Sequence, residues 1–129
     1  MLHVEIVTPG KVAWTGEALE VEVPGAKGEI GALDGHAPLL ALTRAGVVRI
    51  ALEGGQTQAF VVGPGFAEVT PLGVTMLVDL VEAVGTVDVA TATRDLDAAE
   101  KALAQSADGT EEWREAEYKA ELARARLSA

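Results

Sequence analysis

The sequence contains no cysteine and no asparagine. Without thiols there is neither a disulfide nor a thiolate metal site, and without asparagine there is no N-glycosylation acceptor. Two other chemistry-bearing residues are scarce. His3 and His36 lie in different segments, and Ser106 and Ser128 are the only serines, so no Ser/His/Asp set can be assembled. The aromatic residues are Trp14, Phe60, Phe66, Trp113 and Tyr118, too few to expect a sugar-binding surface. Basic residues number 10 against 20 acidic ones in a chain of 129, a formal charge of −10. Nucleic acids and anionic membrane surfaces demand basic patches, so neither is expected as the main partner. The N-terminal MLHVEIVTPGK has no basic region ahead of a long apolar run, unlike a signal peptide. No stretch approaches the roughly 18 apolar residues of a membrane span; the longest candidate, Val74 to Val84, is interrupted by Asp79 and Glu82. The expectation is a soluble cytoplasmic protein with no direct membrane insertion, held at any membrane by a partner.

What the sequence does contain changes character near Gly85. Residues 1–84 hold 12 of the 14 glycines and all five prolines, whereas residues 85–129 hold 12 alanines, two glycines and no proline. The first part alternates at period two, as in Leu19, Val21 and Val23 against Glu20 and Glu22, in residues 2–7 and in residues 47–52. Turn signals separate such runs: Pro9-Gly10, Pro24-Gly25, Asp34-Gly35, Gly54-Gly55, Gly63-Pro64-Gly65 and Pro71-Leu72-Gly73. Short half-buried strands at this spacing predict a sandwich or barrel, with a tight hairpin at Gly54-Gly55.

The second part reads as two helices. Val89, Ala92, Leu96, Ala99 and Leu103 form one apolar seam, and Trp113, Ala116, Ala120, Ala123 and Leu127 the other. Steps of three and four predict an antiparallel helical hairpin, with Asp108 and Glu111 as a capping box for the second helix. Seams rich in alanine bury little apolar surface, so the hairpin is expected to dock weakly on the sandwich and to be able to move.

The residues offer no catalytic constellation. Gly63-Pro64-Gly65 lacks the Lys-Ser/Thr tail of a phosphate loop, and Glu20 and Glu22 read as a solvated strand face. No metal site or enzyme of its own is expected. One segment stands out: Gly28-Glu29-Ile30-Gly31-Ala32-Leu33-Asp34-Gly35-His36-Ala37-Pro38-Leu39-Leu40. Its glycines and proline predict a tight turn and strand crossing, with His36 bonded to the backbone or exposed with Glu29 on a rigid contact loop.

This segment resembles the epsilon subunit of bacterial F-type ATP synthases, in the pattern Gly-Glu-x-Gly-x-Leu-x-Gly-His-Ala-Pro-Leu-Leu. The resemblance continues through residues 46–50, 65–69 and 74–79 and covers nearly the whole chain. It implies a β plus α, two-domain protein: an N-terminal ten-stranded β-sandwich over residues 1–84 and a C-terminal antiparallel two-helix hairpin over 85–129. It implies a non-catalytic rotor-stalk subunit that couples proton translocation to ATP synthesis, at the cytoplasmic face of the bacterial plasma membrane. The implied partners are the gamma subunit and c-ring for the sandwich, and the catalytic alpha and beta subunits for a hairpin that can extend and inhibit hydrolysis.

Carried over residue by residue, Gly28, Glu29, Ile30 and His36 become c-ring or partner contacts. Arg114, Lys119, Arg124 and Arg126 become contacts to beta, diluted by nearby glutamates. Some bacterial relatives bind ATP through Ile/Leu-Asp-x-x-Arg-Ala. Here Val87-Asp88-Val89-Ala90-Thr91-Ala92 replaces the arginine with Thr91, which loses a bidentate phosphate contact. Glu82, Asp88 and Arg94 remain as a weak nucleotide site, and Asp88 equally suits a helix N-cap. No cofactor is expected beyond ATP as a weak regulatory ligand. The alternatives are a nucleotide-sensing ATP-binding module and a free-standing sandwich with a dimerising hairpin.

Overall fold

A computed structural model describes all 129 residues. Ten strands come first: β1 (Leu2–Thr8), β2 (Lys11–Ala18), β3 (Glu20–Gly25), β4 (Gly28–Leu33), β5 (Leu39–Thr43), β6 (Gly46–Ala51), β7 (Thr57–Val62), β8 (Gly65–Thr70), β9 (Gly73–Val78) and β10 (Val81–Ala83). A single 3-10 turn at Val84–Thr86 leads to α1 (Val89–Gln105) and α2 (Glu111–Leu127). The strands form one ten-stranded sheet in the order β10-β7-β6-β3-β5-β8-β9-β1-β2, with β4 on β3. β3 and β5 meet only at Gly25 and Thr43. At that corner the sheet folds over into two layers, so the apolar face of each covers the other.

The expected alternation produces the core. Leu2, Val4 and Ile6, Val21 and Val23, Val48 and Ile50, Val69, and Val74, Met76 and Val78 face inward and form one buried cluster with Ala18, Ala32, Val62 and Ala67. Each large member contributes about 1.5–3 kcal/mol by leaving water. Trp14 and Phe60, with ring centroids 6.4 Å apart, pack at its edge. Leu19 departs from the expected alternation. It lies in the bend ahead of β3 and is 49% exposed, while Ala18 takes the buried place.

The Gly54-Gly55 turn joins β6 to β7 as expected. Both glycines have positive φ, +89° and +82°, a conformation that costs glycine little. Gly73 is required for another reason. β1 runs parallel to β9, and a Cβ on Gly73 would collide with the His3 carbonyl oxygen.

The hairpin forms with two differences from expectation. Val89, the first residue of α1, is 63% exposed, and Leu127, the last residue of α2, is 36% exposed. Both lie at the open end of the antiparallel pair, beyond the closed seam. Ala92 and Ala99 of α1 are buried, as are Ala116, Ala120 and Ala123 of α2. The cap of α2 is Thr110, not Asp108. Gly109, at φ +78°, reverses the chain and leaves Thr110 in the extended geometry of an N-cap, where its hydroxyl accepts from Trp113 N at 3.3 Å. α2 also has a second apolar face. Leu122 and Ala125 are buried against Val47 of β6 and Val61 of β7, so α2 docks the hairpin on the sheet.

Candidate functional site

Three regions carry the candidate residues. The first is the segment from β4 to β5. Gly28, with φ +135°, opens β4. Glu29 follows on the exposed side, and its Oε1 accepts from Arg44 Nη2 at 2.8 Å, each side chain more than two-fifths exposed. Arg44 is itself tied down, its backbone N–H donating to Pro24 O and its Nη1 to Ala45 O. Ile30 turns inward and packs against the core. At the turn, Asp34 Oδ2 accepts from the N-terminal ammonium at 2.8 Å, a bond that holds its carboxyl below the ordinary carboxylate value. His36 Nδ1 bonds to Ala37 O at 2.6 Å. A carbonyl only accepts, so Nδ1 carries the proton. His36 thus makes the backbone bond expected of it, while staying part-exposed on the same segment as Glu29.

The second region is the outer face of the layer β5-β8-β9-β1-β2. Registers place Leu42 opposite Phe66, Phe66 opposite Leu77, Leu77 opposite Val7 and Val7 opposite Val12. Leu42, Phe66, Leu77 and Val12 are each about half exposed, an apolar stripe across five strands. In the next outward row Leu40 faces Glu68, Glu68 faces Thr75 and Thr75 faces Glu5, so one flank of the stripe is acidic. Large apolar patches on a soluble surface mark interfaces. The sequence reading did not single out this stripe. Its signal was present in runs apolar on both faces, such as Leu39-Leu40-Ala41-Leu42 and Val74-Thr75-Met76-Leu77-Val78.

The third region joins hairpin to sheet. Glu82 on β10 accepts from Arg126 Nε at 2.8 Å and Nη2 at 2.7 Å. The paired bonds hold the Glu82 carboxyl below its ordinary value and raise Arg126. Tyr118 Oη donates to Asp79 Oδ2 at 3.0 Å; partial burial, then this bond, pushes the phenol up. Asp88 caps α1, accepting from Ala90 N, Thr91 N and Thr91 Oγ1 at 3.1, 3.3 and 3.0 Å. Those bonds, the Thr91 hydroxyl's first, hold its carboxyl low. Arg94 Nη2 donates to Thr91 Oγ1 at 3.3 Å.

The candidate nucleotide residues are therefore engaged with other side chains of the chain itself: Glu82 with Arg126, and Asp88 and Arg94 through Thr91. The four basic residues of α2 do not share a face, because successive residues turn by about 100°. Arg114 is exposed, Lys119 pairs with Glu115 at 3.0 Å, and Arg124 lines a cleft with Glu29, Arg44 and Arg49. Arg126 is held by Glu82, so in this arrangement it is not available to an outside carboxylate. Arg44, Asp79 and Tyr118 had no signal in the sequence, since their partners lie 15 and 39 residues away.

Comparison with known proteins adds to this geometry. Residues 1–84 match the family described as ATP synthase, Delta/Epsilon chain, beta-sandwich domain. The ATP synthase epsilon chain of Rhodopseudomonas palustris strain BisA53 is 39% identical over 102 residues, which is 79% of this chain and 75% of that one. The epsilon chain of Afipia carboxidovorans is 36% identical over 109 residues, 84% of this chain and 79% of that one. Among solved structures, a chain of the Euglena gracilis mitochondrial ATP synthase, OSCP/F1/c-ring, superposes with a TM-score of 0.87 at 19% identity, covering 98% of this chain and 79% of that one. A chain of the Tetrahymena thermophila mitochondrial ATP synthase, central stalk/c-ring, gives 0.68 at 14% identity, covering 98% and 94%. At these identities the two structures speak to the fold alone.

Proposed function

The chain belongs to the epsilon-chain family of ATP synthase, and from that premise we propose how its surfaces divide the work of a central-stalk subunit. It is a non-catalytic component of the complex, and no helix is long and apolar enough to cross a membrane. Torque passes through such a subunit only if it is fixed to the rotor at more than one surface. The observation that carries the reading is the exposed stripe Leu42–Phe66–Leu77–Val7–Val12. It is the surface that docks the gamma subunit, with the acidic flank at Glu68 and Glu5 facing basic side chains of gamma.

The turn-rich end of the sandwich, with Gly28, Glu29 and His36, rests on the polar loops of the c-ring. The hairpin faces the alpha and beta subunits, and by leaving the sheet it acts as a brake on ATP hydrolysis. The subunit works at the cytoplasmic face of a bacterial plasma membrane, held there by the assembly. In this reading ATP is at most a weak regulatory ligand, since Asp88 is spent on capping and Glu82 on Arg126.

The test is binding of gamma by the full chain and by Phe66→Asp. A charge at the centre of an interface that must be dry weakens binding severely, here by a hundredfold or more. Phe66 points away from the core, so the melting temperature stays within a few degrees. Undiminished gamma binding by a folded Phe66→Asp chain would remove the stripe as the docking surface.

A further inference from the structure

The contact that docks the hairpin is small in apolar terms and strongly polar at its edge. Its buried apolar part is Val47 and Val61 from the sheet with Leu122 and Ala125 from α2. Beside it, Tyr118 donates to Asp79 and Arg126 donates twice to Glu82. The two points lie close together in the fold: Tyr118 and Arg126 are eight residues apart, about 12 Å along a helix, while Asp79 sits in the bend after β9 and Glu82 in β10, three residues on. One face of α2 thus meets both acids of a single short segment. The Glu82–Arg126 pair is also the better shielded of the ion pairs, with only about a quarter of each side chain exposed.

We propose that these two points form a latch: the Glu82–Arg126 fork, seconded by Tyr118–Asp79, decides whether the hairpin rests on the sheet. α1 packs mainly on α2, and it is α2 that meets β6 and β7. Opening the fork therefore frees both helices together. Besides Glu82, Asp95 of α1 and the phenol of Tyr118 act on Arg126, and both favour the charged guanidinium. Glu82 is thus the acid that Arg126 must give up before α2 can leave. The latch belongs to the free subunit, so it stands or falls separately from the hairpin's role as a brake.

The experiment is amide hydrogen exchange on the full, isolated chain and on Glu82→Gln, Arg126→Gln, the double variant and Tyr118→Phe. Exchange in residues 116–126 rises tenfold or more in each fork variant, while the core strands β1, β6 and β9 keep their protection. Because the two residues act on each other, the double variant exchanges no faster than the faster single one. The sole tyrosine gives a second readout: its absorbance titration moves back toward the ordinary phenol range when α2 is released. Wild-type exchange in the single variants, or effects that multiply in the double one, would overturn the latch. Should a fork variant also lose strand protection, Tyr118→Phe, which removes one hydroxyl, decides by the same readout: faster exchange confined to the helices upholds the latch, and unchanged exchange refutes it.

Discussion

Glu29 and Arg44 meet at 2.8 Å with both side chains well exposed. An ion pair in such a place contributes less than about 1 kcal/mol, because water screens it and two long side chains must be ordered to make it. Glu29→Gln should therefore leave the melting temperature almost unchanged while reducing the coupling of proton flow to ATP synthesis in the assembled enzyme. A large loss of stability would make Glu29 a structural residue and withdraw it as a c-ring contact. At this scale the sequence was informative about local roles. Gly28, Gly35 and Pro38 marked the turn, and Asp88 stood where a cap belongs. It was uninformative wherever a partner came from a distant strand, as Arg44 does for Glu29, because period and spacing carry no information on cross-sheet neighbours. Thr110 shows the local limit too: the expected Asp108–Glu111 capping box does not form, because the reversal at Gly109 puts the cap two residues later, and a cap of this kind is worth about 1 kcal/mol.

The hairpin is the element whose behaviour depends on solution conditions. Its docking contact contains a carboxyl held low, Glu82, and a phenol pushed up, Tyr118. The signs follow from linkage. Glu82 favours docking fully above its ordinary value of 4.5, and that contribution is lost as pH falls through the lower docked value. Tyr118 favours docking fully below its ordinary value of 10.0, and that contribution is lost as pH rises through the higher docked value. Arg126 stays charged throughout. Docking of the isolated chain should thus be strongest between the two and weaken on both sides, measured as helix amide protection or as chain dimensions by small-angle scattering. A docked population that stays flat below pH 4.5 would show that the fork adds nothing to the apolar contact. The seam itself was legible in the sequence as alanines at steps of three and four. The second face, with Leu122 and Ala125, was hidden because alanine-rich helices show apolar residues on several sides.

For the whole molecule, the strands end at Ala83 and the helices begin at Val89, and the main core cluster draws on no helical residue. A chain cut after Val84 should therefore fold cooperatively and bind gamma. Exposing Val47 and Val61 costs such a truncated chain a little stability. The enzyme assembled with it should hydrolyse ATP faster than the intact one; equal rates over a range of ATP concentrations and proton gradients would make the helices a spacer. The amino-acid sequence by itself determined the division into strands and helices, the inward faces of most strands, the turns, and through one thirteen-residue pattern the family. These are properties of near neighbours along the chain, set by side-chain period and by what glycine and proline permit. Only the tertiary structure decided the parallel pairing of β1 with β9, the outward stripe that three separate strands and a hairpin combine to make, and the fork between Glu82 and Arg126, 44 residues apart. Those depend on which layers meet and in what register, and that choice is made by burying the whole core at once rather than by any single segment.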